Sequence, residues 1–287
     1  MKNFRVYFLL FIAVVALCSC DLAKNNKALI SEAGKALVEE LDQKNGEAGA
    51  CDASAGAAEA DDKLVMQTSP KGTPEQILKR TGYVASYNKT TLLPNWVAWH
   101  LTAERTEGSA KRSGVDFAED TEVPSPRATD WDYYNSGYDR GHMCPAADNK
   151  WSKKAMEESF LFTNMCPQNG NLNRGDWNEM EMACRKWAKK YGDLYIVCGP
   201  ILYKGKHKTI GKNKVVVPEA FFKVVLRTGD DPQAIGFIYK NTSGNRPKDS
   251  YVNTVDEVER ITGIDFFPSL PDDVEKNVEA TADIANW

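Results

Sequence analysis

Histidine is scarce in this chain, with three in 287 residues, at positions 100, 142 and 207. Any proton transfer that needs an imidazole near neutral pH must therefore fall on one of these few side chains. Positive charge is not in excess either. The 36 Lys and Arg stand against 40 Asp and Glu, for a net charge of −4 and a pI of about 5.6. That balance counts against a protein built to hold nucleic acid tightly. It leaves room for an enzyme that releases its products and concentrates positive charge in one groove. Zinc-type cysteine spacing is absent, and His142 with Cys144 makes a pair without a second cluster. Strands and helices mix without a βαβ rhythm, which predicts an α+β domain.

The chain's one long apolar run, Val6 to Leu17 behind Lys2 and Arg5, is shorter than the ~20 residues that a membrane span needs. It fits the apolar region of an export signal. It ends in Leu17-Cys18-Ser19-Cys20, which resembles a bacterial lipoprotein cleavage site with Cys20 as the lipidated first residue; a plain signal peptide cut elsewhere is the alternative. Residues 1–19 are read as the signal and residues 20–72 as a tether. Within the tether Leu29, Ile30, Ala33, Leu37, Val38 and Leu41 form a helical apolar stripe, followed by an Ala/Gly/Glu/Asp spacer. The placement expected is the cell envelope, with the membrane face open.

Residues 73–287, roughly 215 of them, are enough for one sizeable core. Tyr83–Tyr87 and Trp96–Leu101 read as strands joined by a turn near Leu93-Pro94-Asn95. The alternation of Tyr134, Ser136 and Tyr138 suggests a strand leading into Asp139, and Phe160-Leu161-Phe162 another. Residues 173–191 read as one helix, acidic first and basic last, closed by Gly192. Leu194–Cys198, Val215–Val217, Phe221–Leu226 and Ala234–Tyr239 read as strands, Val255–Ile261 as a helix, and the acidic tail from Asp272 as peripheral.

The chemistry gathers at Asp139-Arg140-Gly141-His142. An acid, a permanent planar cation suited to phosphate, a joint without a Cβ and an imidazole stand side by side. A second block runs Thr163-Asn164-Met165-Cys166-Pro167-Gln168, then Leu172-Asn173-Arg174-Gly175-Asp176-Trp177 and Met180-Glu181. The two blocks, in this order and spacing, resemble the sugar-non-specific DNA/RNA endonucleases, and the likeness runs from about Tyr83 to about Pro271.

That resemblance implies a ββα-metal fold with a central, mainly antiparallel sheet flanked by helices. It implies hydrolysis of phosphodiester bonds in DNA and RNA to 5′-phosphate ends, without sequence preference. His142 would be the general base. Asn173 would be the direct ligand of one magnesium ion, with manganese as a substitute, although Asn is also a good helix N-cap. Glu181 would hold metal-bound water. Arg140 would lie near the scissile phosphate or hold the site together, and Arg112, on a looser alignment, would stabilise the transition state. Asp139, Asn164 and Gln168 would support the site, Asp139 through hydrogen bonds. Trp177 is read as core and Arg127 as structural. The family includes dimers. Cys144 and Cys166, where small or apolar residues are common in the family, form either a disulfide or two buried thiols. The competing reading from another class is an envelope lipoprotein that binds nucleic acid without cutting it. Cys20→Ser should block lipidation and move the protein from the membrane to the soluble fraction; membrane partitioning that survives the substitution counts against Cys20 as the anchor.

Overall fold

The computed structural model describes residues 63–287; the leader, Cys20, the apolar stripe, the spacer and Cys51 lie outside the described residues. Apolar, β-branched and aromatic runs build the frame. Seven strands form one antiparallel sheet: β1 (Gln76–Lys79), β2 (Val84–Asn88), β3 (Leu93–Leu101), β6 (Leu194–Ile201), β9 (Ala220–Arg227), β10 (Gln233–Lys240) and β11 (Val252–Asn253), adjacent in that order. The inner strands are buried almost throughout, as expected for a sheet covered on both faces. Two ribbons stand apart from it: β4 (Asp139–His142) with β5 (Met165–Gln168), and β7 (Thr209–Ile210) with β8 (Val215–Val216). The helices are α1 (Asp130–Tyr133), α2 (Lys153–Glu158), α3 (Gly170–Arg174), α4 (Asp176–Tyr191), α5 (Val255–Thr262) and α6 (Asp272–Glu279). The α+β class and the antiparallel sheet agree with expectation. Residues 63–227 and 233–287 belong to one compact unit.

Alternation along the strands decides which helix covers which face. Phe221, Phe237 and Tyr239 meet the long helix α4, with ring centroids 5.6 Å (Phe221–Trp177), 6.3 Å (Phe237–Trp187) and 5.6 Å (Tyr239–Trp177). Phe222, one residue on, points the other way and meets Phe266 at 5.4 Å. On that second face a Cβ at Gly236 would lie 2.6 Å from Val258 Cγ2, so α5 rests directly on the strand backbone. Each fully buried large apolar side chain contributes about 1.5–3 kcal/mol.

Several boundaries differ from the sequence reading. Leu93-Pro94-Asn95 is not a turn. It begins β3, beside a register shift at Ser86/Tyr87 that accommodates Pro94. The turn precedes it, with Leu92 at φ 59°. Tyr134 to Tyr138 is a loop, because Asn135 (φ 53°) and Gly137 (φ 83°) break the extended run. Phe160–Phe162 is not a strand: Leu161 makes one parallel bridge to Ala118, then a 3-10 turn leads into β5. The helix expected over 173–191 is two helices divided at Gly175 (φ −102°, ψ −112°), where a Cβ would lie 2.7 Å from the Asn171 carbonyl oxygen. Packing begins ahead of Thr73, with Val65 buried and Thr68 bridged to Asp265. The tail is not peripheral: α6 buries Val274 and Val278, and Trp287 packs on Trp187 at 5.0 Å. Cys144, Cys166, Cys184 and Cys198 are buried free thiols, so Cys144 and Cys166 are not bridged. Gly236→Ala should lower stability by ~1–3 kcal/mol through overpacking against Val258, read as a drop of several degrees in melting temperature; an unchanged melting temperature would show that α5 yields without cost.

Candidate active site

The β4–β5 ribbon carries both sequence blocks. Its register sets Asp139 against Gln168, Arg140 against Pro167, Gly141 against Cys166 and His142 against Met165. Gly141 permits this pairing, since a Cβ there would come within 2.3 Å of Gln168 Oε1 and 2.6 Å of Gln168 Cβ. Gln168 is fully buried and neither of its amide atoms has a hydrogen-bond partner. Asn164 fixes the exit from β4. Its Oδ1 accepts from the Cys144 N–H at 2.9 Å, and its Nδ2 donates to the carbonyls of Cys144 and Ser159, each at 2.8 Å.

An open cleft of about 750 Å³ lies beside the ribbon, lined by His142, Arg140, Arg112, Asn173 and Glu181 among others. It is cationic: Lys111, Arg112, Arg140, Lys150, Arg174 and Arg185 face it, and among the described residues Glu181 is the only carboxylate that does. An acidic chain thus presents a basic groove, where positive charge concentrates an anionic ligand.

His142 sits in an aromatic box. Phe160 meets it edge-on at 4.9 Å and Phe117 lies 5.6 Å away. Its Nε2 is buried without a hydrogen-bond partner. Burial, reinforced by the charge of Arg112, lowers its pKa from 6.5 to about 3. The ring is therefore neutral at physiological pH with hydrogen-bonding capacity unspent. The other two histidines differ, each lying against a carboxylate: His100 against Asp193 at 2.7 Å and His207 against Glu219 at 3.1 Å.

Asn173 is not an N-cap. Asn169 caps α3, its Oδ1 accepting from the N–H groups of Asn171 and Leu172. Asn173 lies one turn further on, and its Nδ2 donates to Asp139 Oδ2 at 3.0 Å. A carboxylate accepts only from the amide nitrogen, so this bond fixes the amide's orientation. Asn173 Oδ1 makes no hydrogen bond among the described residues. Asp139 also accepts from Arg174 at 2.7 Å through Oδ1 and is spent on positioning its neighbours. Glu181 comes from α4 beyond the Gly175 break, so Asn173 and Glu181 do not share the one helix expected over 173–191, yet both line the cleft. Burial pushes Glu181 up to about 7, against the pull of Lys223.

The two arginines divide. Arg140 is held by Asp130, Nε to Oδ1 at 2.6 Å, and lies over the rings of Phe117 (5.3 Å) and Tyr133 (5.8 Å). Arg112 is exposed, lies over Phe160 at 5.4 Å, and makes no ion pair among the described residues. Arg127 bonds the Asp120 carbonyl and Ser125 and pairs with Glu119. Trp177 is fully buried and donates from Nε1 to the His142 carbonyl at 3.2 Å, so it is core.

Sequence reasoning missed the supports. Phe117 and Phe160 wall the histidine. Asp148 is buried, paired with Arg185 at 2.9 Å and bonded by Trp99 Nε1 at 3.1 Å. Lys223 is buried over Trp177 at 4.3 Å and Trp99 at 5.1 Å. A lysine inside the apolar run of β9 was the one visible signal; the other contacts join distant parts of the chain.

Two short strands, one carrying Asp-Arg-Gly-His, followed by helices carrying Asn and Glu into one cleft, define the ββα-metal nuclease class. Residues 61–273 match the DNA/RNA non-specific endonuclease family, to which this chain belongs. Among its relatives is a mitochondrial nuclease EXOG of Danio rerio, 39% identical over 206 residues, covering 66% of this chain and 60% of that protein. The mitochondrial endonuclease G of Bos taurus is 34% identical over 209 residues (68% and 70%). Nuclease C1 of Cunninghamella echinulata var. echinulata is 36% identical over 222 residues (72% and 88%). The chain thus spans about 60% of the length of the EXOG relative. A chain from the crystal structure of the EndoG/EndoGI complex superposes with a TM-score of 0.65 at 32% identity, over 69% of this chain and 87% of that one.

The neutral histidine has a consequence for stability. His142 titrates near 6.5 when unfolded and near 3 when folded. Between those values the unfolded chain holds the extra proton, so stability falls as pH drops from about 6.5 toward 3, by up to ~1.4 kcal/mol per unit. His142→Ala removes this contribution. Denaturant unfolding between pH 6 and 4 should show a slope shallower than wild type by about 1 kcal/mol per unit; parallel slopes would mean that burial does not hold the ring neutral.

Proposed function

We propose that this chain is a divalent-metal-dependent endonuclease that hydrolyses phosphodiester bonds in DNA and RNA, without sequence preference, to 5′-phosphate ends. One observation carries the reading: a neutral histidine whose Nε2 is buried and unpartnered lines a cation-walled cleft together with a free amide oxygen and a lone carboxylate.

The residues present fit a hard cation. Asn173 Oδ1 has no other partner, Glu181 has no ion-pair partner at hydrogen-bond distance, and oxygen donors suit magnesium, which keeps most of its water and takes few protein ligands. Asn173 would hold the ion directly and Glu181 through water, with manganese as a substitute. When bound, the ion would supply Lewis-acid stabilisation of charge on the phosphate and the leaving oxygen.

The protein's own groups do the rest. His142, neutral at working pH, takes the proton of an attacking water. An incoming phosphate offsets the Arg112 charge that disfavours imidazolium, so the substrate strengthens the base that attacks it. Arg112, unpaired and exposed at the rim, is the freer arginine for the phosphate. Arg140, committed to Asp130, holds the aromatic box and adds field. Water as the nucleophile needs no 2′-hydroxyl, so both sugars react. Phosphate contacts carry no sequence information, and the six cations facing the cleft all suit phosphate. Lipidation at Cys20 and placement in the cell envelope belong to this proposal, resting on the apolar run Val6 to Leu17 and the cysteine that follows it.

A plasmid-nicking assay with and without EDTA separates this reading from a non-cutting nucleic-acid-binding lipoprotein. His142→Ala should lower cleavage about 10²–10⁴-fold in a folded protein. Asn173→Ala should lower rate and metal affinity together, and Glu181→Ala should do so more mildly. Asn173→Ala that alters only melting temperature, or His142→Ala that keeps most activity, would remove that residue from the mechanism.

A further inference from the structure

The two helices on the far face of the sheet hold a group of side chains that the cleft does not use. Carboxylate oxygens of Asp256 and Glu259, in α5, and of Glu279, at the end of α6, all lie within 4.8 Å of one another. Glu279 is the unusual member. It is 5% exposed, and its Oε1 is buried with no hydrogen-bond partner. It is also the last residue of its helix, where the partial negative charge of the terminal carbonyls disfavours a carboxylate. Asp265 and Glu275 add further negative charge to that of Glu259 and Asp256. Burial, then this repulsion, pushes Glu279 up to about 9 and Glu259 up to about 7. Glu259 spends Oε1 on the Phe266 N–H at 2.7 Å. Asp256 lies exposed at the rim, open to solvent.

A buried carboxyl group with an unmade bond, held beside two other carboxyl groups, costs free energy whether it ionises or keeps its proton. A bound divalent ion offsets that cost: it takes the place of the carboxyl proton, which leaves to solvent, neutralises the repulsion and supplies the missing partner. We propose that Asp256, Glu259 and Glu279 form a divalent-cation site of the calcium class, separate from the cleft, that clamps α6 onto α5. Calcium suits these donors better than magnesium: it takes six to eight oxygens in irregular geometry, mixes one- and two-oxygen carboxylate binding, and can fill its remaining positions with water at the exposed Asp256 side. Sites of this kind with few ligands bind at about 10⁻⁴–10⁻³ M. The role is structural, since α5 and α6 cover the sheet face opposite α4.

The test is thermal unfolding of the full chain at pH 7.5, stripped with EDTA, desalted and titrated with calcium chloride. At ~10 mM calcium the melting temperature should rise by about 3–10 °C, and by clearly less in equal magnesium. Glu279→Gln should abolish the calcium shift, because the amide cannot give up a proton to become a charged ligand. Asp256→Asn, at an exposed position, should weaken the shift and serves if Glu279→Gln does not fold. Asn173→Ala should keep the full shift, and Glu279→Gln should nick plasmid with magnesium at the wild-type rate. No calcium shift in wild type, an equal shift in Glu279→Gln, or a shift lost only in Asn173→Ala would each overturn the proposal. A wild-type protein that responds to calcium but does not nick would overturn the nuclease reading alone.

Discussion

The site depends on one buried amide. Asn164, with no exposed surface, makes three side-chain hydrogen bonds, two to Cys144 and one to Ser159. Its backbone carbonyl accepts a fourth from the Met143 N–H at 2.9 Å. These bonds fix the two residues that follow His142 and the residue that precedes Phe160. The His142 ring and the wall it packs against are thus set by the same side chain. Removing it would strand several buried backbone groups, each costing ~1–3 kcal/mol. The Trp177 bond to the His142 carbonyl ties this bracket to α4 and so to the sheet. Glu181 on α4 is thereby placed relative to His142, although 39 positions separate them in the chain.

The second constraint is electrostatic. Six cations around one carboxylate would repel one another and swell the cleft if nothing absorbed their charge. The protein divides the work. Arg140, Arg174 and Arg185 are each paired, with Asp130, Asp139 and Asp148. Lys111, Arg112 and Lys150 are left over among the described residues, and Arg112 helps keep His142 neutral. Net charge could not disclose this. A whole-chain sum of −4 includes the acidic residues of α5 and α6 on the opposite face, and only the local field acts on a ligand.

Much of the site was legible, because its chemistry lies in two short blocks whose residue types and order are distinctive. His142, Asn173 and Glu181 all reach the cleft. Gly192 ends α4 at φ 88° as a C-terminal glycine should, and the helix from Val255 has the expected amphipathic spacing. What escaped was long-range. Phe117 stood alone in a polar loop and shows its role only beside Phe160. The break at Gly175 keeps an unbroken helical pattern in the sequence, since one glycine is tolerated within a helix; the bend follows from how α3 packs against β4. Asn173 is where local reasoning met its limit. Cap and ligand look alike in one dimension, and the structure removes only the cap reading, because the neighbouring Asn169 takes the cap.

The thiols follow the same logic of burial. Four free cysteines sit in the core of a chain expected to be exported, where oxidising conditions favour disulfides. Exchange needs a thiolate, and burial opposes one: Cys184 and Cys198 are pushed up to about 12, and Cys144 and Cys166 are raised as well. The same groups fill structural roles. Cys198 Sγ donates to the Met143 carbonyl at 3.3 Å, and Cys144 Sγ accepts from Asn149 Nδ2 at 3.3 Å. Both contacts bear on the segment that leaves His142. Oxidising either thiol would displace that segment, so the burial that keeps His142 neutral also keeps its support reduced.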